Sequence, residues 1–389
     1  MLIIHYLVAD ACQKIIISTL PRIRELMDPD NIPRVPLPSL LQSRSEANVR
    51  LIRAFGLSNT FVSADLDVHS AFVRNAKKLI PSHDFGDSFG RLATLTVNEL
   101  SCCFCDQSPE SEIPFETFIQ VLTFKVMIST LFHVDPALLD YEDVIVVTTG
   151  INRLWSLSKS TSAFPPNLLN DINSRLTRWI PDLEYPLNFI IPVYETMWQV
   201  VAVGVALTHC DNDAREALKE YLEEPTVKQF AFWETEAQRP SVQALITEIM
   251  RLHPPVRRIS RTVAALPHSL TTIVPTFFAR YFTRTIAADV SALHRDISLW
   301  GADANCFNPF RHHKNSITDE QKQSLLQFGL GRLRCVAVSW APQAAGLLVA
   351  AVVASLRMEG GEEEGVKIQI GSEIGGRDGW SGWSIVCRR

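Results

Sequence analysis

The chain has 389 residues, 47% of them hydrophobic and 20% charged, which is material for a large buried core and excludes intrinsic disorder as the main state. Its 37 Lys and Arg stand against 42 Asp and Glu, a net charge of −5, so it lacks the electrostatic footprint that a nucleic-acid partner requires. Eight cysteines over this length are too sparse for a disulfide scaffold, and no run resembles a signal peptide, so free thiols in a reducing compartment are expected.

No Gly/Ser linker, low-complexity tract or fixed-period repeat divides the chain, and a single domain over 1–389 is the expectation. The first apolar run, 1–9, is too short to cross a bilayer, which takes roughly 20 apolar residues. The proline-rich stretch 29–38 cannot be one continuous helix, because each proline removes a donor and restrains the residue before it. Cys102 and Cys105 have metal-like spacing, but no second pair completes four ligands, so incidental thiols are expected. Apolar residues at three-and-four spacing predict helices over 115–132 and within 191–222, with Pro192 at the start of the second. A further helix over 241–252 is stopped by Pro254 and Pro255, and the β-branched run 284–293 predicts strand. The fold class is therefore mainly α with small β-sheets.

The stretch 336–356 carries no charge and is long enough for a transmembrane helix, yet its alanines, Pro342 and Gln343 favour a buried core helix. Just before it, FGLGRLRCVA (328–337) places Cys335 at the mouth of that helix between glycines and arginines. That setting lowers a thiol pKa and suits a metal-binding thiolate; a free cysteine beside a turn has the same local sequence. Glu248 and Arg251 lie three apart on one helix face, and Arg311 in FNPFR (307–311) can join them if its loop folds back. His312 and His313 offer too few ligands for a metal. GEEEG (361–365) reads as a solvated turn. No phosphate loop, dinucleotide fingerprint or G-x-S-x-G elbow is present.

Taken in order, these elements resemble the cytochrome P450 family, in flavour its fungal secondary-metabolism members, from about residue 50 to the C-terminus. FGLGRLRC resembles the haem-binding loop. The resemblance implies that Cys335 is the proximal thiolate ligand to haem iron, with Phe328 and Gly331 shaping the loop. EIMR (248–251) resembles the family's Glu-x-x-Arg pair, so Glu248, Arg251 and Arg311 carry structural roles. Arg261 matches a position that often faces a haem propionate. VYETM (193–197) lines up with the acid–alcohol pair of the central helix, which assigns Glu195 and Thr196 to proton relay. The chain departs from the family pattern at Leu333, where arginine is usual, leaving Arg332 or Arg334 to reach a propionate, and at Ala337, Pro192 and Val193.

The resemblance implies a haem-thiolate monooxygenase acting on an apolar small molecule, a polyketide or terpenoid intermediate of secondary metabolism. Electrons would come from NADPH-cytochrome P450 reductase, with no nucleic-acid partner. The alternatives are a haem-thiolate isomerase or dehydratase, and a degenerate or truncated member without working haem. The family's usual location is the endoplasmic reticulum membrane; no N-terminal anchor is visible here, so a peripheral membrane contact and a cytoplasmic location both stay open. The family's early sheet is expected to be mostly missing, which would expose apolar edges and lower solubility.

Overall fold

The structure, a computed structural model, describes residues 14–29, 35–81, 88–105, 112–234, 239–264, 283–356, 365–377 and 379–388. The early helices are α1 (Leu20–Met27), α2 (Leu37–Ala47), α3 (Val49–Phe55), α4 (Leu66–Leu79) and α5 (Ser88–Cys105). Then follow α6 (Phe115–Phe132), α7 (Tyr141–Ser158), α8 (Leu168–Trp179), α9 (Leu187–Thr208), α10 (Asn212–Glu223), α11 (Val227–Phe230) and α12 (Val242–Leu252). Short helices α13 (Val290–Leu293), α14 (Ile297–Trp300) and α15 (Asp319–Ser324) precede the long α16 (Ala341–Ser355). The mainly helical expectation is borne out.

The core forms where helices are apolar on most faces and so must be surrounded. Helix α6 buries 13 of its residues, α9 buries 15 and α16 buries 11. Helix α9 packs on α6 and α16, and α16 also packs on α5 and α10. Gly204 permits the approach of α9 to α16, since a Cβ there would stand 2.6 Å from Val349 Cγ2. Helices α6 and α9 are long and apolar enough to cross a membrane, and each has 72% of its most apolar window buried inside the protein. Helix α16 begins only at Ala341. Its 15 residues reach roughly 22 Å, short of a ~30 Å hydrocarbon layer, and the buried-core reading of 336–356 holds.

Two corrections concern element boundaries. Pro192 lies inside α9, which starts five residues earlier at Leu187. Proline cannot donate to the carbonyl four residues back; that Asn188 carbonyl instead accepts from Asn59 Nδ2 at 2.7 Å. The run 191–222 is also two helices, broken at 209–211 where Asp211 caps α10 by accepting from Ala214 N–H.

The first sheet has the order β1-β4-β3: β1 (Ile15–Ile17) runs parallel to β4 (Thr283–Asp289), which is antiparallel to β3 (Arg258–Ala264). One early strand, 15–17, is present and pairs with β4. The second sheet, β2-β6-β5, is antiparallel and joins β2 (Glu112–Pro114) to β6 (Ser384–Arg388) and β5 (Gly365–Gln369). The predicted strand 284–293 is strand to Asp289 and then turns into α13, whose first turn Asp289 caps. Of GEEEG, 361–364 lie outside the described residues.

Candidate active site

The loop before α16 is built by glycine and anchored by a buried acid. Gly329 and Gly331 have φ of 73° and 65°, conformations that residues with a Cβ adopt only under strain. A Cβ on Gly331 would also fall 2.4 Å from the Cβ of Asp28. The chain then makes one 3-10 turn, Gly331–Leu333, and Cys335 N–H donates to the Phe328 carbonyl at 2.9 Å. Phe328 packs against the main core. Asp28, buried at the end of α1, accepts from Arg332 N–H at 2.9 Å and from Arg332 Nε at 2.8 Å. Arg332 also donates to the Val35 carbonyl at 2.7 Å, just ahead of α2. The two arginines are thereby separated: Arg332 is a structural tie, while Arg334 is exposed.

Cys335 keeps part of its surface open. Burial of the sulfur within the loop pushes its thiol pKa up, against a hydrogen bond from the Ala337 backbone and the charge of Arg334. A cation at the sulfur would favour the thiolate, for which that amide and that guanidinium are already suited.

Glu248, Arg251 and Arg311 meet as expected. Arg251 Nε donates to Glu248 Oε2 at 2.7 Å and Arg251 Nη2 to Oε1 at 2.8 Å; Arg311 Nε donates to Oε1 at 2.9 Å. Sequence reasoning missed four contributors. His312 Nε2 contacts Glu248 Oε2 at 2.8 Å, and Asn308 N–H donates to Oε1 at 3.1 Å. Asp303 accepts from Arg311 at 2.9 Å, and Trp300 lies under the Arg251 guanidinium, 4.8 Å from its centre. Burial would raise the Glu248 pKa, but hydrogen bonds and charge from Arg251 and His312 outweigh it and hold the carboxyl at about 2.

Glu195 and Thr196 sit adjacent on α9, as the helical spacing predicts, but Glu195 is not a solvated or free acid. It is buried and gripped by both terminal nitrogens of Arg377, one at 2.9 Å. Arg377, on the loop between β5 and β6, also donates to Asn152 of α7 and lies 5.2 Å from the centre of the Trp155 ring. Burial still pushes the Glu195 pKa up, with Arg377 acting against it. Thr196 is half-buried, and its hydroxyl donates to the Pro192 carbonyl at 3.3 Å.

Arg261, in the middle of β3, is buried, and among the described residues its one hydrogen bond runs to the neighbouring Ser260 carbonyl at 3.0 Å. Its Nε has no partner. A buried guanidinium without an acid is costly unless an anion completes it. These residues fit a haem: an open cysteine on a fixed loop and an uncompensated buried cation suit a thiolate-bound metal in a macrocycle with carboxylate arms. Among the described residues no cluster of three His, Cys, Asp or Glu could hold a bare metal ion, Cys102 included. An open cleft of about 470 Å³ lies between α2 and β3, lined by Pro38, Ser39, Gln42, Thr262 and Ala264 among others.

This arrangement, a cysteine loop entering a core helix beside a buried Glu-Arg-Arg cluster, defines a class of haem-thiolate fold. The cytochrome P450 family model matches residues 211–373. A solved cytochrome P450DA mutant haem domain superposes with a TM-score of 0.62 over 96% of this chain and 86% of its own, at 12% identity. Isoflavone 3'-hydroxylase of Medicago truncatula is 31% identical over 137 residues, 35% of this chain and 25% of its own. Cytochrome P450 81D1 of Arabidopsis thaliana is 27% identical over 257 residues, 57% of this chain and 47% of its own. The chain spans only about a quarter of the length of several of these curated relatives, for example 22% of cytochrome P450 CYP749A22 of Panax ginseng. The chain has the fold of a cytochrome P450 haem domain, and its residues 211–373 match the cytochrome P450 family model.

Proposed function

We propose that the protein is a haem-thiolate monooxygenase that inserts one oxygen atom into an apolar small molecule. The observation that carries this reading is Cys335, held open at the end of a loop that Asp28 and Arg332 lock to α1. When bound, haem would supply reductive activation of dioxygen, which a thiolate ligand favours.

The chain's own residues have separable tasks in this reading. Ala337 N–H and Arg334 hold charge on the Cys335 sulfur, and Arg261 receives a carboxylate of the cofactor. The Glu248 cluster fixes the loop 303–312 against α12. Thr196, one residue from a held carboxylate, orients a water through its hydroxyl and passes a proton inward. Glu195 acts as a positioning residue, because Arg377 restrains both of its oxygens. Electrons come from a flavoprotein, NADPH-cytochrome P450 reductase by family analogy. The substrate class we assign is a polyketide or terpenoid intermediate, and the location the endoplasmic reticulum membrane surface.

The test is turnover with a reductase, NADPH and a panel of apolar polyketides and terpenoids under ¹⁸O-labelled dioxygen. A product carrying one labelled oxygen, absent with Cys335→Ala, supports the reading. A rearranged or dehydrated product without label would replace it with isomerase or dehydratase chemistry.

A further inference from the structure

The loop between β5 and β6 is seated so that one side chain, Arg377, is aimed inward. Gly375 and Gly376 have φ of 113° and 71°. A Cβ on Gly375 would stand 2.9 Å from His253 Nδ1, and one on Gly376 2.9 Å from Arg257 Nη2, so the loop lies closer to the segment after α12 than residues with a Cβ allow. The Gly376 carbonyl accepts from Trp380 Nε1 at 3.0 Å, and Trp380 is buried with its ring centre 5.1 Å from that of Phe115. The backbone next to Arg377 is thereby fixed before its side chain makes any contact.

That side chain, 9% exposed, takes hold of both oxygens of Glu195 on α9 and donates to Asn152 of α7. It lies 5.2 Å from the centre of the Trp155 ring, and Arg50 of α3 lies 5.0 Å from the same centre. The charges that act on Glu195 are Arg377 from the loop and Lys159 at the end of α7; its neighbour Tyr194 stays neutral through burial. Among the described residues, the hydrogen bonds to the Glu195 carboxylate oxygens come from Arg377 alone, and none joins Glu195 to Thr196, whose hydroxyl donates back to the Pro192 carbonyl. A protonated carboxyl must donate its O–H, and here both oxygens face N–H donors, so a proton on either would find no acceptor. Burial pushes the Glu195 pKa up, and Arg377 is the main force against it; without that guanidinium the buried acid would take up a proton.

We infer that Arg377 is a positioning residue that holds the Glu195 carboxylate as an ion and so withdraws it from the proton relay beside Thr196. The relay rests on the haem reading above; the state of the carboxylate does not. In this chain the acid next to Thr196 is a fixed negative charge, and the C-terminal loop belongs to the site because it sets that charge.

Infrared spectra of the full chain at neutral pH, in the carbonyl-stretch region of protonated carboxyl groups, test this. The expected result is that Glu195→Gln removes no protonated-carboxyl band from the wild type, whereas Arg377→Met gains one that is lost again in Arg377→Met combined with Glu195→Gln. Arg377→Lys, which keeps the charge, should restore the wild-type spectrum. Because the freed acid binds its proton more tightly folded than unfolded, melting of Arg377→Met should fall relative to wild type as pH rises from about 5 to 8, and Glu195→Gln in that background should abolish the trend. With haem, reductase and the substrate panel above, the pH profile of product formed per NADPH should gain an ionisation in Arg377→Met that Arg377→Lys lacks. A wild-type band that Glu195→Gln removes would overturn the inference, and this comparison decides if Arg377→Met does not fold. So would a folded Arg377→Met without a new band. The infrared and melting results need no haem, so a chain that behaves as expected in both but binds no haem loses the haem reading and keeps the clamp.

Discussion

At the scale of single residues, the cysteine loop depends on one atom that is absent. Gly331 combines a positive φ with no room for a Cβ against Asp28, so Gly331→Ala should shift the loop and break the Asp28–Arg332 tie. We expect at least a halving of haem bound per chain, read from the ratio of Soret to protein absorbance; undiminished loading contradicts this. The arginines flanking Leu333 should separate in the same way. Arg332→Leu removes the ion pair to the buried Asp28 carboxylate and the bond to the Val35 carbonyl and should cost on the order of 3 kcal/mol, whereas exposed Arg334→Ala should cost less than about 0.5 kcal/mol. Urea titration of both variants decides, and equal costs would refute the assignment. Cys335 and the glycines were legible in the sequence because the chemistry concentrates in ten residues. The choice between Arg332 and Arg334 was not, because the deciding acid lies 304 positions away.

At the scale of elements, periodicity found the long helices but not their joints. A proline within an apolar run reads as a helix start, since nothing local shows that a side chain will take the carbonyl it leaves free. Asn59, from the loop ahead of α4, does so for Asn188. Asn59→Ala should therefore cost about 2 kcal/mol, the cost of a buried unpaired carbonyl, and Asn59→Ala combined with Pro192→Ala should recover much of it; denaturant midpoints of both variants measure this. No recovery would mean that Asn59 acts elsewhere. The Glu248–Arg251 pair was legible from i,i+3 spacing. His312, by contrast, was set aside as a poor metal ligand, and only the turn Pro309–His312 folding back on α12 shows its hydrogen bond to Glu248.

At the scale of the whole molecule, buried titratable groups set how stability responds to acid. Burial, with nearby arginines, holds His253 and His294 at about 4. His294 is satisfied as a neutral ring, Nδ1 on the Arg251 carbonyl and Nε2 receiving Leu326 N–H. An unfolded histidine takes up its proton near 6.5, so the unfolded state binds more protons between that pH and 4, and stability falls as pH drops through this window. Glu248, at about 2 when folded against about 4.5 when unfolded, adds a further loss from about 4.5 down to 2. Urea midpoints should decline as pH falls from 7 to 4 and go on declining, less steeply, from 4 to about 2 as Glu248 alone contributes; a flat profile from 7 to 4 would contradict the buried neutral histidines. At this scale Arg377 also ties the C-terminal loop to the central helix through Glu195. Nothing in the sequence announces that tie, because the loop crosses from one sheet region to a helix 182 positions away.

The central claim is that Cys335 is a thiolate ligand to haem iron, and the most direct measurement is the absorbance of the dithionite-reduced, carbon monoxide-bound protein beside its Cys335→Ala variant. The expected result is a strongly red-shifted Soret band in the wild type that vanishes in the variant while the fold, followed by circular dichroism, persists. A folded wild type without that band, or a variant that retains it, would contradict the account.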